Sequence, residues 1–212
     1  MKSEKLFFSM SLCLCVSIAF VLGSLSSVQA RPIPPLEGLE ALRKGFAGIS
    51  DFSAEITQEK RLSLMKRTMT MKGTVRFRKP DQFYLAINPP YASRMVLKDA
   101  TIELAGGPEG KRNRMVLPPE QGLGRWFSKL ASPVTQLPEG VAIQADLTNS
   151  LYTLTITPQT KGQVKELAIA FLADGTIRRL TILEQNGDKA SMIFKNLRRN
   201  TGLTDRDFRL EP

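Results

Sequence analysis

Histidine is absent from the 212-residue chain, and cysteine occurs only twice, at Cys13 and Cys15. Both cysteines lie in an N-terminal stretch that reads as a cleavable export signal. Lys2 and Lys5 lead into an apolar run from Leu6 to Leu22, and Ser-rich sequence ends in Val28-Gln29-Ala30. The run, about 17 residues and broken by serines, is short for a spanning helix. No small residue directly precedes either cysteine, so lipid attachment there is not expected. Residues 1–30 are therefore set aside as the signal, and residues 31–212 are expected to form a single domain. That domain has no cysteine for a disulfide, a thiolate nucleophile or a zinc site. Without histidine, Ser-His and Cys-His catalysis are excluded. A hydrolase would need two converging carboxylates. Glu55 and Glu59 point outward by alternation, and Glu103 lies on the polar side of its strand, so no enzyme, cofactor or metal is expected.

Acidic side chains are in the minority. The chain carries 30 basic and 20 acidic residues; Lys2, Glu4 and Lys5 leave with the signal, so 28 and 19 remain, a net charge of +9. An exported protein this basic suits anionic headgroups or an acidic partner, and a soluble surface explains the charge equally well. Outside the cytoplasm, nucleic acid is not an expected partner.

What is present is period-two patterning. Arg31-Pro-Ile-Pro-Pro35 reads as a short non-helical spacer. Leu36, Leu39, Leu42, Phe46 and Ile49 then recur at three- and four-residue steps, predicting one amphipathic helix. From residue 51 the period becomes two, with Phe52, Ala54, Ile56 and Gln58 opposing Ser53, Glu55, Thr57 and Glu59. Residues 68–80 continue it: Met69, Met71, Gly73, Val75 and Phe77 on one side, Thr68, Thr70, Lys72, Thr74 and Arg76 on the other. Pro80-Asp81-Gln82 turns the chain, and Phe83, Leu85 and Ile87 alternate before Asn88-Pro-Pro90. Shorter runs follow around Met95–Leu97, Ile102–Leu104 and Arg112–Leu117. Leu123, Trp126, Phe127 and Leu130 form a second, shorter helical pattern. Strands resume over 141–146, 150–157, 166–172, 176–184 and 189–196, with a last one near 206–210. Asp174-Gly175 and Asn186-Gly187 mark hairpin turns.

About eleven strands with two or three short helices predict a mainly β (α+β) fold: one strongly curved antiparallel sheet forming a half-open barrel. The helices are its only available cover. Its apolar face would carry Phe52, Ile56, Met69, Met71, Val75, Phe77, Phe83, Leu85, Ile87, Met95 and Leu97. The lid would present Leu39, Leu42 and Phe46 from the first helix and Leu123, Trp126, Phe127 and Leu130 from the second. Whether the interior is a cavity or a filled core is open at this level.

Phe52-Ser-Ala-Glu-Ile-Thr-Gln58, followed by Gly73-Thr-Val-Arg-Phe-Arg-Lys-Pro80 and Phe83, resembles the N-terminal half of the periplasmic outer-membrane lipoprotein carriers, the LolA-like family. Leu167-Ala-Ile-Ala-Phe171, Asp174-Gly-Thr-Ile177, Asn186-Gly187, Ile193-Phe-Lys-Asn196 and Phe208-Arg-Leu210 match in order, so the similarity spans roughly residues 36–210. The resemblance implies a helix-capped half-barrel in the periplasm that shields lipoprotein acyl chains, acting as a monomer. It also implies an inner-membrane ABC-type release complex that loads it and an outer-membrane receptor that unloads it. Energetics explain the need for such a container. At about 0.8 kcal/mol per methylene, an acyl chain of ~16 carbons costs on the order of 12 kcal/mol to expose to water. Methionines on the apolar face suit a lining that must repack around cargo.

Lys79 has the parity of the apolar face yet sits at the strand end, where its stem can line the rim while its ammonium reaches helix carbonyls or water. The resemblance implies a lid latch here, the matching family position usually being arginine. Lysine offers three donors on a point charge instead of a planar fork, so a weaker latch is expected. Lys98-Asp-Ala-Thr-Ile-Glu-Leu104 departs from the family pattern in lacking its glycine and aromatics, and the chain ends soon after Leu210. A carrier or sensor of another lipid or glycolipid using the same pocket is the alternative reading.

Overall fold

The alternation over residues 51–78 becomes a long hairpin around which the rest of the sheet is laid. A computed structural model describes residues 30–106, 111–117, 124, 128, 131–159 and 162–210. In chain order the elements are β1 (Arg31–Ile33), α1 (Pro35–Ala47), β2 (Asp51–Leu62), β3 (Arg67–Arg78), β4 (Gln82–Ile87), β5 (Ser93–Lys98), β6 (Thr101–Gly106) and β7 (Lys111–Val116). Then follow β8 (Val141–Thr148), β9 (Leu151–Pro158), β10 (Val164–Leu172), β11 (Ile177–Glu184), β12 (Lys189–Arg199) and a 3-10 helix over Asp205–Phe208. The twelve strands form one antiparallel sheet in the order β1-β8-β9-β10-β11-β12-β2-β3-β4-β5-β6-β7, with β1 and β7 at its two ends, so the barrel is not closed.

Two sequence expectations are corrected. Arg31–Ile33 is not merely a spacer but an edge strand paired with β8, Ile33 opposite Ala145. Pro35 lies inside the helix, at its N-terminal turn, where the missing N–H costs nothing. The expected last strand near 206–210 is a 3-10 turn instead. There Thr204 and Asp207 cap each other reciprocally, Thr204 N–H donating to Asp207 Oδ2 at 2.8 Å. The second helical pattern lies largely outside the described residues; Gly124 and Ser128, which are described, are helical.

The helix lies flush on the sheet because two glycines allow it. A Cβ at Gly38 would lie 2.7 Å from Ala145 Cβ and 2.8 Å from Leu154 Cδ2, and one at Gly45 would lie 2.5 Å from the backbone nitrogen of Gly175. Gly175 itself adopts φ +82 in the β10–β11 turn, open to glycine at no steric cost. Leu39, Leu42 and Phe46 are thereby buried with Ile49, Phe52, Ile56, Val75, Phe77, Leu154, Phe171 and Phe194 in the main core. We call the sheet face under α1 the inner face.

The outer face has a small core of its own. Tyr84 and Val96 are buried beneath Phe208, with Leu203 and Leu210 beside them. Arg76 lies over the Tyr84 ring and Arg78 over Phe208, 5.1 and 5.6 Å from the centroids. Asp51 ties down the lead-in to this segment: its carboxylate accepts hydrogen bonds from Thr201 N–H at 2.7 Å, Thr201 Oγ1 at 3.0 Å and Gly202 N–H at 3.1 Å. Burial pushes the Asp51 carboxyl up, but these bonds and one from Ser50 outweigh it, leaving it below the ordinary aspartate value.

Candidate functional site

Antiparallel register puts paired residues on the same face, so the inner face can be followed strand by strand. Phe52 stands opposite Phe77, Phe77 opposite Phe83, Phe83 opposite Leu97, and Leu97 opposite Ile102. A second row runs Ala54, Val75, Leu85, Met95, Leu104. A third runs Phe194, Ile56, Gly73, Ile87. Met69 and Met71 share the parity of Gly73 and Val75 further down β3, and Met71 packs against the core. All eleven sheet residues singled out in the sequence thus lie on one face. They are not equally covered. Phe52, Ile56, Val75, Phe77 and Ile87 are buried, whereas Met69, Met71, Phe83, Leu85, Met95 and Leu97 are half-buried.

The inner face is not filled throughout. Directly beneath the helix the core is full: Val75, Leu154 and Phe171 are 0% exposed. One half-open cavity of about 400 Å³ sits at the helix C-terminus, among Arg43, Phe46, Lys79, Pro80, Gly124 and Ser128. Another of about 360 Å³ lies over β4–β7 against Leu85, Met95, Leu104 and Asn113. Both have the size of ordinary small-ligand sites. Beyond them the apolar rows continue into solvent, with Leu104 37% and Met115 50% exposed. The sequence reading named the Ile102–Leu104 and Arg112–Leu117 runs but did not carry Ile102, Leu104 or Met115 onto the apolar face, where the pairing of β6 and β7 puts them.

Lys79 borders the first of these cavities. Its Nζ donates a hydrogen bond to the Phe46 carbonyl in the last turn of α1, and its backbone N–H donates to Ser50 O at 2.8 Å. An ammonium at a helix C-terminus also meets the favourable end of the helix dipole. Burial holds that ammonium below the ordinary lysine value. Of the lid residues, Leu39, Leu42 and Phe46 face the core. Leu123, Trp126, Phe127 and Leu130 lie outside the described residues; their neighbours Gly124 and Ser128 border the Lys79 cavity, and Gly124 N–H donates to Asp99 Oδ1 at 3.1 Å.

A second tie on the lid was not foreseen. Glu40 on α1 is held by Arg43 through two 2.7 Å hydrogen bonds and accepts one from Val134 N–H at 3.3 Å. The Arg43 hydrogen bonds lower its carboxyl to about 2, outweighing the opposing effect of burial, with the Val134 amide adding to the lowering. The segment after the second helical pattern is therefore fastened to the first helix by a carboxylate ionised at any ordinary pH.

The family model for the outer membrane lipoprotein carrier protein LolA matches residues 47–211. No curated protein matches the chain by sequence. Among solved structures it is similar to a conserved protein from Thermus thermophilus, at 15% identity and a TM-score of 0.48, covering 83% of this chain and 93% of that one. It is similar to a LolA superfamily protein from Nitrosomonas europaea at 8% identity and 0.45, covering 84% and 98%. The lipoprotein LppX of Mycobacterium tuberculosis is similar at 11% and 0.38, covering 80% and 97%.

Proposed function

We propose, from the premise that this chain belongs to the outer membrane lipoprotein carrier family, that it carries acyl chains of lipoproteins through the periplasm on the inner face of its sheet. The observation that supports this reading most is the row structure of that face. Apolar side chains run unbroken from the packed core under α1 to half-exposed Leu85, Met95 and Leu104, with a half-open cavity over β4–β7 to begin an acyl site. Cavities of 360–400 Å³ take only part of a triacylated anchor. Full loading therefore requires α1 to move outward, exchanging its Leu39, Leu42 and Phe46 contacts for contacts with lipid. Those contacts and the acyl chain compete for the same surface, so binding is tight enough to shield cargo and loose enough to surrender it.

In this account Lys79 is the latch. Its bond to Phe46 O links the end of β3 to the last turn of the moving helix, and breaking it loosens that end, which Asn200 also holds through Gly48 O. Loading from an inner-membrane ABC-type complex, unloading to an outer-membrane receptor, monomeric action, entry into the periplasm through the residue 1–30 signal and a purely non-enzymatic role all belong to the same proposal. A photo-crosslinking amino acid placed at Met71 on the inner face, and at Thr74 on the outer face as control, tests it in living cells. Capture of acylated polypeptide from position 71 alone is the expected result. Capture of free glycolipid instead would favour the alternative cargo, and equal capture from both positions would refute an inner-face site.

A further inference from the structure

The tip of the β2–β3 hairpin has no role in the account so far, and it is the most exposed apolar feature described. The sequence Lys60-Arg-Leu-Ser-Leu-Met-Lys-Arg67 turns at residues 63–66, where Leu64 is 96% and Met65 63% exposed. Two large apolar side chains at a turn otherwise reserved for polar residues run against the ordinary chemistry of turns. Arg61, Lys66 and Arg67 are exposed and Lys60 is half-buried. Among the described residues none of these four cations is in an ion pair. The acidic groups at this end of the sheet include Glu59, Glu166, Glu184 and Asp188, with Lys189 opposite Arg61.

The tip is also held rigidly. Asp188 Oδ1 in the β11–β12 turn accepts a 2.8 Å hydrogen bond from Ser63 N–H, and Lys66 N–H donates to Ser63 O at 3.3 Å. On its other side the hairpin projects freely. Pairing of β3 with β4 starts only at Gly73 opposite Ile87, and Asn88 N–H reaches Lys72 O at 2.8 Å, so residues 67–71 stand roughly 17 Å beyond that strand at strand spacing. An apolar point ringed by unpaired cations on a braced stalk matches the two layers of an anionic bilayer surface: hydrocarbon at its boundary and phosphate above it.

We propose that this hairpin tip is a membrane-contact element, inserting Leu64 and Met65 at the acyl boundary of an anionic phospholipid surface while Lys66, Arg67, Arg61 and Lys60 engage headgroup phosphates. The position serves the proposed carriage, because Met69 and Met71 lead from the tip along β3 to the core, so a lipid leaving the bilayer beside the tip meets the inner face at once. The contact itself stands whether or not that face takes acyl chains.

The test is co-sedimentation of residues 31–212, which contain every described element, with phosphatidylethanolamine:phosphatidylglycerol vesicles and with phosphatidylcholine vesicles. Binding to the anionic vesicles, weakened by salt, is expected, since each cation near such a surface contributes about five-fold. The L64S/M65S variant, its charge unchanged, is expected to bind at least ten-fold more weakly, and K66E/R67E to lose the salt-sensitive part. Wild-type protein that ignores anionic vesicles, or an L64S/M65S variant that binds them like wild type, would overturn the proposal. So would crosslinking of position 64 in cells to a protein alone, which would make the tip a protein-docking point. Uptake of a fluorescent acyl probe, measured on the same variants, reports the inner face separately and is expected to be unchanged.

Discussion

Replacing Lys79 by leucine removes the bond to Phe46 O without leaving that carbonyl bare, because the N–H groups of Gly48 and Ile49 also reach it, the latter at 3.2 Å. No desolvated acceptor is therefore orphaned, and the cost falls at the low end of the range for a bond to a charged group. Burial already disfavours the ammonium, and the helix end contributes about 0.3–1 kcal/mol to a nearby cation. Together these give about 1 kcal/mol for the latch, or about a five-fold change in an opening equilibrium. In a domain of this size the same energy lowers Tm by only about 2–4 °C, so melting is a poor reporter. Hydrogen exchange of the α1 amides is the sensitive assay: K79L should exchange about five-fold faster there than wild type, and should load an acyl probe faster. K79R, which keeps the charge and adds a fork of donors, should restore slow exchange. Unchanged exchange and unchanged loading in K79L would refute the latch. The sign with pH follows from the lowered pKa of Lys79. Between its folded value and the ordinary 10.5 the unfolded chain holds the proton that the folded chain has released, so this group's contribution to stability rises with pH across that window.

Gly45→Ala forces a Cβ to within 2.5 Å of the Gly175 backbone, so α1 must lift from the β10–β11 turn. Overpacking of that kind costs about 1–3 kcal/mol, read as a Tm loss of several degrees and faster α1 exchange. Asp51→Ala unties Thr201 and Gly202 and should cost about 2 kcal/mol in urea melts. Because the folded Asp51 pKa is below the ordinary 3.8, wild type should keep this advantage above that value and lose it as pH falls further, the two proteins converging in acid. Phe208→Ala should expose Tyr84 and Val96, raising proteolysis of the C-terminal segment while leaving inner-face acyl binding intact.

The inner face was legible because strand periodicity needs no long-range information: Met69 through Phe77 and Phe83 through Ile87 fix their face by parity alone. The glycine turns at Asp174-Gly175 and Asn186-Gly187 were legible for the same local reason. Arg31–Ile33 was not, because its strand character comes wholly from pairing with β8, more than a hundred residues away. The 3-10 turn at Asp205–Phe208 escaped because Phe208 and Leu210 alternate as a strand would, while the Thr204–Asp207 capping pair decides otherwise. Tyr84 and Val96 have outward parity, and only the returning C-terminus makes them core. The position of Lys79 at a strand end left its ammonium to helix carbonyls or water; that it meets Phe46 O depends on where α1 docks, which is set by Gly38 and Gly45 against distant residues.

The central claim is that the inner face holds hydrocarbon. Native mass spectrometry of the protein purified without detergent from cells expressing the full chain tests it most directly, with the M71E/L85E variant, which puts carboxylates on that face, as control. The account predicts that part of the wild-type population carries the added mass of acylated peptide or lipid, released by detergent and lost in the variant. Bare chain alone in both proteins, with no uptake of an added acylated peptide by wild type, would contradict it.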